Sequence, residues 1–219
     1  MNLEEKKREL VLREWDLFQK VQNEGGRASC QNNFPVFSLM RSSQFAFWPE
    51  ALVDSYLTDL KTAAQQGRNL LSEKYAWMME HTAPEAFAQI KGQLPVLSTE
   101  VSTLVAEIVS YHLEWMMAYC KKYPHLAATN RATTSDKDTV VATSFQTYLE
   151  GELKTYSLTT LRLYRDFMIE LYQEGKDLAL LTMETTVKGY GYASLDDAEQ
   201  SLVAQKEKGS TKKGSTKMR

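Results

Sequence analysis

Helical periodicity, cut at short intervals by stops and caps, constrains this chain more than any other feature. Apolar residues recur at three- and four-residue spacing almost throughout, and no alternating strand pattern of useful length occurs. Val11, Trp15 and Phe18 stand at i, i+4 and i+7 in a first helix over about 3–22. Gly25 and Gly26 are its expected stop, because glycine reaches left-handed dihedrals without strain. Further helices are predicted over about 35–47 and over 49–66, the latter with Pro49 in its first turn and Gly67 beyond its end. Asn69 and Thr82 are the expected caps of two more, before Pro95 breaks the chain. Ser98 opens a long helix to about Lys122, ended by Tyr123-Pro124. Residues 127–138, rich in Thr, Ser, Asn and Asp, read as an exposed loop. Thr143 with Gln146 is a capping-box pattern for a helix to about Tyr156. Ser157 and Asp177 cap the next two, separated by Gly175, and Ser194 with Asp197 begins the last. The expected fold is all-α, with about nine or ten helices.

The second half echoes the first. A shift of 108 positions brings Phe37 onto Phe145, Tyr56 onto Tyr164, Gln65 onto Gln173, Gly67 onto Gly175 and Leu70 onto Leu178, without a gap. Trp48 then meets Tyr156, and Asn69 meets Asp177. Upstream, a shift of 100 sets Glu14-Trp15 on Glu114-Trp115, and the loop near His125–Thr139 absorbs the difference. The matched residues are stops, caps and aromatics. The expectation is two pseudo-symmetric halves, 1–97 and 98–205, packed as one domain, with a basic tail over 206–219. A pocket at their junction would be lined by corresponding segments of each half.

Charge divides along the same line. The 219 residues carry a net charge of -2. The tail holds six basic residues and one acid, leaving the body with 20 basic against 27 acidic side chains. The tail's composition, with Lys-Gly-Ser-Thr written twice, predicts disorder. An acidic body and a short basic tail argue against specific nucleic-acid binding. No apolar run is long enough for a membrane span, and the charged start, MNLEEKKREL, is unlike a secretory signal. Two cysteines, Cys30 and Cys120, supply no disulfide framework, so a reducing cytoplasm is the expected location.

Two segments carry unusual polar groups. Gly25 to Gln31 combines glycines with Arg27, Cys30 and Gln31, a turn able to aim backbone N–H groups and a guanidinium at an anion. It lacks the Gly-Lys-Ser/Thr ending of a phosphate-binding loop. Its alternative is a helix end with locally satisfied polar groups. Arg41 and Gln44 interrupt the apolar run from Phe34 to Trp48, and in the shifted alignment they stand near Glu150 and Glu152. One half thus offers a cation where the other offers carboxylates. That pattern suits a zwitterionic ligand, or a plain salt-bridged contact between the halves. The histidines, His81, His112 and His125, lack metal-ligand spacing, and no metal or other cofactor is expected.

Several short segments also carry a resemblance. They are Gly25-Gly26-Arg27-Ala28-Ser29-Cys30-Gln31, Met40-Arg41-Ser42-Ser43-Gln44, Tyr123-Pro124-His125-Leu126, Thr143-Ser144-Phe145, Tyr148-Leu149, Gly151-Glu152-Leu153 and Thr155-Tyr156-Ser157. Together they resemble a bacterial family, domain of unknown function 4125, over about residues 1–202. The resemblance implies a helical fold and a bacterial cytoplasmic setting, and supplies no catalytic residue.

The functional expectation is a protein that binds or transforms a small polar or zwitterionic ligand between its halves. Arg27, Gln31, Arg41, Gln44, Glu150 and Glu152 are its candidate ligand-binding residues. The competing expectation is a noncatalytic module that acts through a protein partner. Composition and motifs leave open whether the chain is an enzyme.

Overall fold

The computed structural model describes residues 1–22 and 26–214, with side chains through 207. Gly25, half of the expected first stop, lies outside the described residues; Gly26 is left-handed, with φ 84°. The chain forms α1 (Leu3–Gln19), α2 (Phe34–Phe45), α3 (Glu50–Gln65), α4 (Leu70–Thr82) and α5 (Pro84–Ile90). An extended connection leads to the long α6 (Thr99–Lys122), followed by the short α7 (Pro124–Ala127). Then come α8 (Phe145–Leu153), α9 (Leu158–Gln173), α10 (Leu178–Gly189) and α11 (Leu195–Gly214). Among the described residues there is no β-strand, only an isolated bridge between Thr139 and Ala142. The protein is all-α. No described helix is long and apolar enough to cross a membrane.

Local chemistry explains the boundaries. Asn2 and Glu5 form a reciprocal capping box at the start of α1. Asn69, Ser98, Ser157 and Asp177 cap α4, α6, α9 and α10, each accepting a first-turn backbone N–H. Three expected caps fall elsewhere. Pro49 is the residue before α3, not its first turn. Thr82 closes α4, and its neighbour Ala83 precedes α5. Ser144, not Thr143, caps α8, because Gln146 instead accepts the Ser135 N–H and ties down the preceding loop. The last helix runs into the stretch assigned by composition to the basic tail, and residues 215–219 lie outside the described residues.

Under the shift of 108, α3 falls on α9 end to end, and α4 and α10 begin at matching positions. Gly67 and Gly175 both adopt positive φ, 68° and 65°. The following N–H of each closes back on a helix carbonyl, Arg68 on Ala63 at 2.8 Å and Lys176 on Leu171 at 2.9 Å. Packing repeats as well. α1 packs on α2, α3 and α4, and α6 packs on α8, α9 and α10. Across the junction α3 meets α9, while α4 packs on α8 and α10 packs on α2. The matched pairs Phe45 and Leu153, Trp48 and Tyr156, Tyr56 and Tyr164, and Leu60 and Met168 are all buried in one core.

Candidate functional site

Charged residues lie inside this core. Glu14 sits on the apolar face of α1, between Leu10 and Phe18, and is 1% exposed. Arg41 and Gln44 are one turn apart on α2 and so share a face. Lys74 interrupts the apolar face of α4 and is 5% exposed. Glu152, on α8, is 4% exposed. Gly151 brings α8 close enough for this meeting: a Cβ there would stand 2.8 Å from the Lys74 carbonyl oxygen and 2.8 Å from Met78 Cγ.

The four ionisable groups form one network. The Arg41 guanidinium donates to both carboxylate oxygens of Glu14 and to both of Glu152, the latter at 3.1 and 3.2 Å. Lys74 Nζ lies 2.5 Å from Glu152 Oε2. Gln44 Nε2 and the Tyr156 hydroxyl each donate to Glu152 Oε1 at 2.9 Å. The Tyr56 hydroxyl donates to Glu14 Oε1 at 2.7 Å, and Gln44 Oε1 accepts from Arg41. Two cations and two carboxylates balance. Charge-assisted, bidentate contacts are the strong ones, and here they are nearly dry.

Burial alone would push the Glu152 carboxyl up, but Arg41 and Lys74 outweigh it and hold the group well below the usual range. Burial also pushes up the Tyr56 and Tyr156 hydroxyls, which stay neutral donors. Lys74 Nζ stands 3.6 Å from the ring centroid of Tyr148, and this ammonium draws the Tyr148 hydroxyl below its ordinary value. Nearby, His112 shares a hydrogen bond of 2.9 Å with Tyr164, and burial lowers its imidazole to about 4.

Arg41, Gln44 and Glu152 therefore come together, while the other sequence candidates lie apart from them. Arg27 is exposed and bonds the side chains of Gln19 and Asn32 and the Gln31 carbonyl. Gln31 is buried, donating to the Phe18 and Val21 carbonyls at 2.7 and 3.0 Å. These two residues close the C-terminal end of α1. Glu150, two positions from Glu152, points to another face. It accepts from Gln146 and lies 3.4 Å from His81 Nε2. Cys30 is exposed and Cys120 half-buried. Among the described residues no group of three or more His, Cys, Asp or Glu is placed to hold a metal ion.

A groove of about 760 Å³ shares one residue, Tyr156, with this network. One wall is the outer face of α3, with Asp54, Thr58 and Thr62. The other walls are the connection 95–97 and the segment 154–159, with Tyr156 among the lining residues. Tyr156 is thus a lining residue of the groove, while its hydroxyl bonds Glu152 and its ring packs on Trp48 and Tyr56. Lining positions 51 and 55 on α3 correspond to 159 and 163 under the shift of 108, so both halves contribute matching segments.

The signal for the missed members of the network is a charge placed inside an apolar stripe. Glu14 follows Leu10 by four residues and precedes Phe18 by four; Lys74 stands in the same way between Leu70 and Met78. Tyr56 and Tyr156 carry no such mark, since a buried tyrosine reads as core.

The family described as a protein of unknown function, DUF4125, matches residues 4–200. Neither the curated proteins nor the solved structures contain a match.

Proposed function

The chain belongs to the DUF4125 family of proteins of unknown function, and from its geometry we propose that it binds a small polar ligand in the groove between its two halves. The observation that carries this reading is the groove itself, walled by matching segments of both halves and lined in part by Tyr156, whose hydroxyl is fixed by buried Glu152. A core of this size has no need of four buried charges. Replacing a buried ion network by apolar residues is often neutral or stabilising, so stability alone is weak reason for one. A lining residue held rigidly by a buried polar network is what a binding site requires. The zwitterion expected at Arg41 is not needed there, because Glu14 and Glu152 already answer its charge. Arg41, Gln44 and Glu152 act on the ligand through Tyr156, and Arg27, Gln31 and Glu150 shape the surrounding loops and helices.

Titration calorimetry with a panel of amines, amino acids, sugars and nucleotides tests the proposal. Binding of one class by the intact protein, lost in a Thr58→Trp variant that fills the groove, is the expected result. Binding that survives Thr58→Trp would place the ligand elsewhere and end this reading.

A specific surface favours a second reading, the noncatalytic module. Val36, Met40 and Phe47 are 39%, 45% and 38% exposed on one face of α2 and its end. Apolar residues grouped in this way on a surface mark contact sites. Under that reading Met40→Glu abolishes partner binding and leaves the groove's ligand untouched.

We also read 1–97 and 98–205 as products of a duplication. The coincidence of α3 with α9, the paired left-handed glycines and the reciprocal packing across the junction support it.

A further inference from the structure

Among the described residues, one charged residue of the groove lacks an ion pair. Asp54 shares the Lys6 ammonium with Glu50, both contacts at 2.8 Å. Arg68 is held by Glu73 and Lys154 by Glu80, each at 2.6 Å. Asp59 differs from all of these. Its Oδ2 accepts from the Ser157 N–H at 3.0 Å and from the Thr160 hydroxyl at 2.6 Å, both neutral donors. Among the described residues no cation forms an ion pair with it. The charged residues that line the groove are Asp54, Asp59, Arg68 and Lys154, and Asp59 alone of these is without an ion pair. The N-terminal end of α9 offers Asp59 about half a unit of positive charge, which leaves the remainder unanswered.

Asp59 is half-buried in the groove wall, close to Tyr156, and hydroxyls of Ser55, Thr58, Thr62 and Ser157 line the same space. A carboxylate flanked by hydroxyl-bearing residues matches an ammonium group. The carboxylate supplies the charge and the hydroxyls accept its N–H bonds. A carboxylate-bearing ligand meets repulsion from Asp54 and Asp59, because the groove's own cations are already engaged.

We infer that the groove is a site for a small primary ammonium compound carrying hydroxyl or further amino groups, with its ammonium on Asp59. This inference rests on the groove being the ligand site, and it adds the chemical class and the contact residue.

The test is titration calorimetry of the full chain at low ionic strength with four probes: 1,4-diaminobutane, 2-aminoethanol, glycine and acetate. The two amines are expected to bind, glycine at least tenfold more weakly, and acetate not at all. Asp59→Asn should weaken diaminobutane binding at least tenfold. Its amide oxygen still accepts from Ser157 and Thr160, so the helical circular dichroism holds. Thr62→Lys, one turn from Asp59 on the exposed face of α3, supplies an internal ammonium and should abolish amine binding. Glu85→Gln, a charge change on α5, should leave it within twofold. Amine binding unchanged in both Asp59→Asn and Thr62→Lys would overturn the assignment. Preferential binding of glycine or acetate, with loss in Thr58→Trp, would overturn the ammonium class and keep the groove as a ligand site. Failure of both amines to bind sinks the inference, and if the wider panel also fails, the proposed function falls with it.

Discussion

Glu152 accepts from Arg41, Gln44, Lys74 and Tyr156, more partners than any other side chain of the network. Glu152→Gln leaves Arg41 paired with Glu14 alone and Lys74 with no carboxylate. The expected loss is about 3–5 kcal/mol in urea unfolding, the cost of an uncompensated buried charge. Adding Lys74→Met to that variant should recover part of the loss, because it removes the orphaned ammonium. A double-mutant cycle reads this directly. His112 gives a pH signature of its own. Its imidazole titrates near 6.5 when unfolded and near 4 in the folded protein, so between those values the unfolded chain binds the extra proton. Stability therefore falls as pH drops from about 6.5 to 4, by about 3 kcal/mol from this residue. Thermal melts across that range should show the slope, and His112→Gln should flatten it. The low-lying Glu152 carboxyl adds its own loss only below its ordinary range, at more acid pH. Arg41 and Gln44 were legible as members of a buried network because polar groups in an apolar run need partners. Arg27 and Gln31 close the end of α1, and a helix end uses the same residue types as an anion-binding turn.

At the level of elements, the helix spans were readable because each depends on two or three neighbouring residues. The caps Asn69, Ser98, Ser157 and Asp177 satisfy first-turn N–H groups as their side chains predict. Ser144 replaced Thr143 because a distant loop claimed Gln146, a contact that no local pattern announces. The approach of α8 to α4 was equally hidden. It depends on Gly151, which in sequence is only a poor helix former. Gly151→Ala improves helix propensity by about 1 kcal/mol. The added methyl nevertheless meets the Lys74 carbonyl and Met78 at 2.8 Å, and the net effect should be a loss of about 1–3 kcal/mol in chemical denaturation. The same change should loosen the Lys74–Glu152 contact, raising amide hydrogen exchange in α4 and α8 above that in α3 and α9.

For the whole molecule, the exchange of partners across the junction matters most. α4 belongs to the first half and packs on α8 of the second, while α10 returns the exchange on α2. Within the halves, α4 does not pack closely on α2, nor α10 on α8. Residues 1–97 and 98–205, made separately, should each remain largely unfolded by circular dichroism. Made together they should reassemble, with Val96, 99% exposed in the connection, marking a cut that the fold tolerates. The contact between Gln44 and Glu152 has a consequence for how such a protein arises. These residues are 108 positions apart and touch, so under the shift each occupies the other's place. Two identical chains related by a dyad must set each residue near that axis against its own twin, glutamate against glutamate or glutamine against glutamine. A single continuous chain is free of that rule. It places an amide donor opposite a carboxylate, a pairing that no symmetric dimer of one half could have offered at its centre.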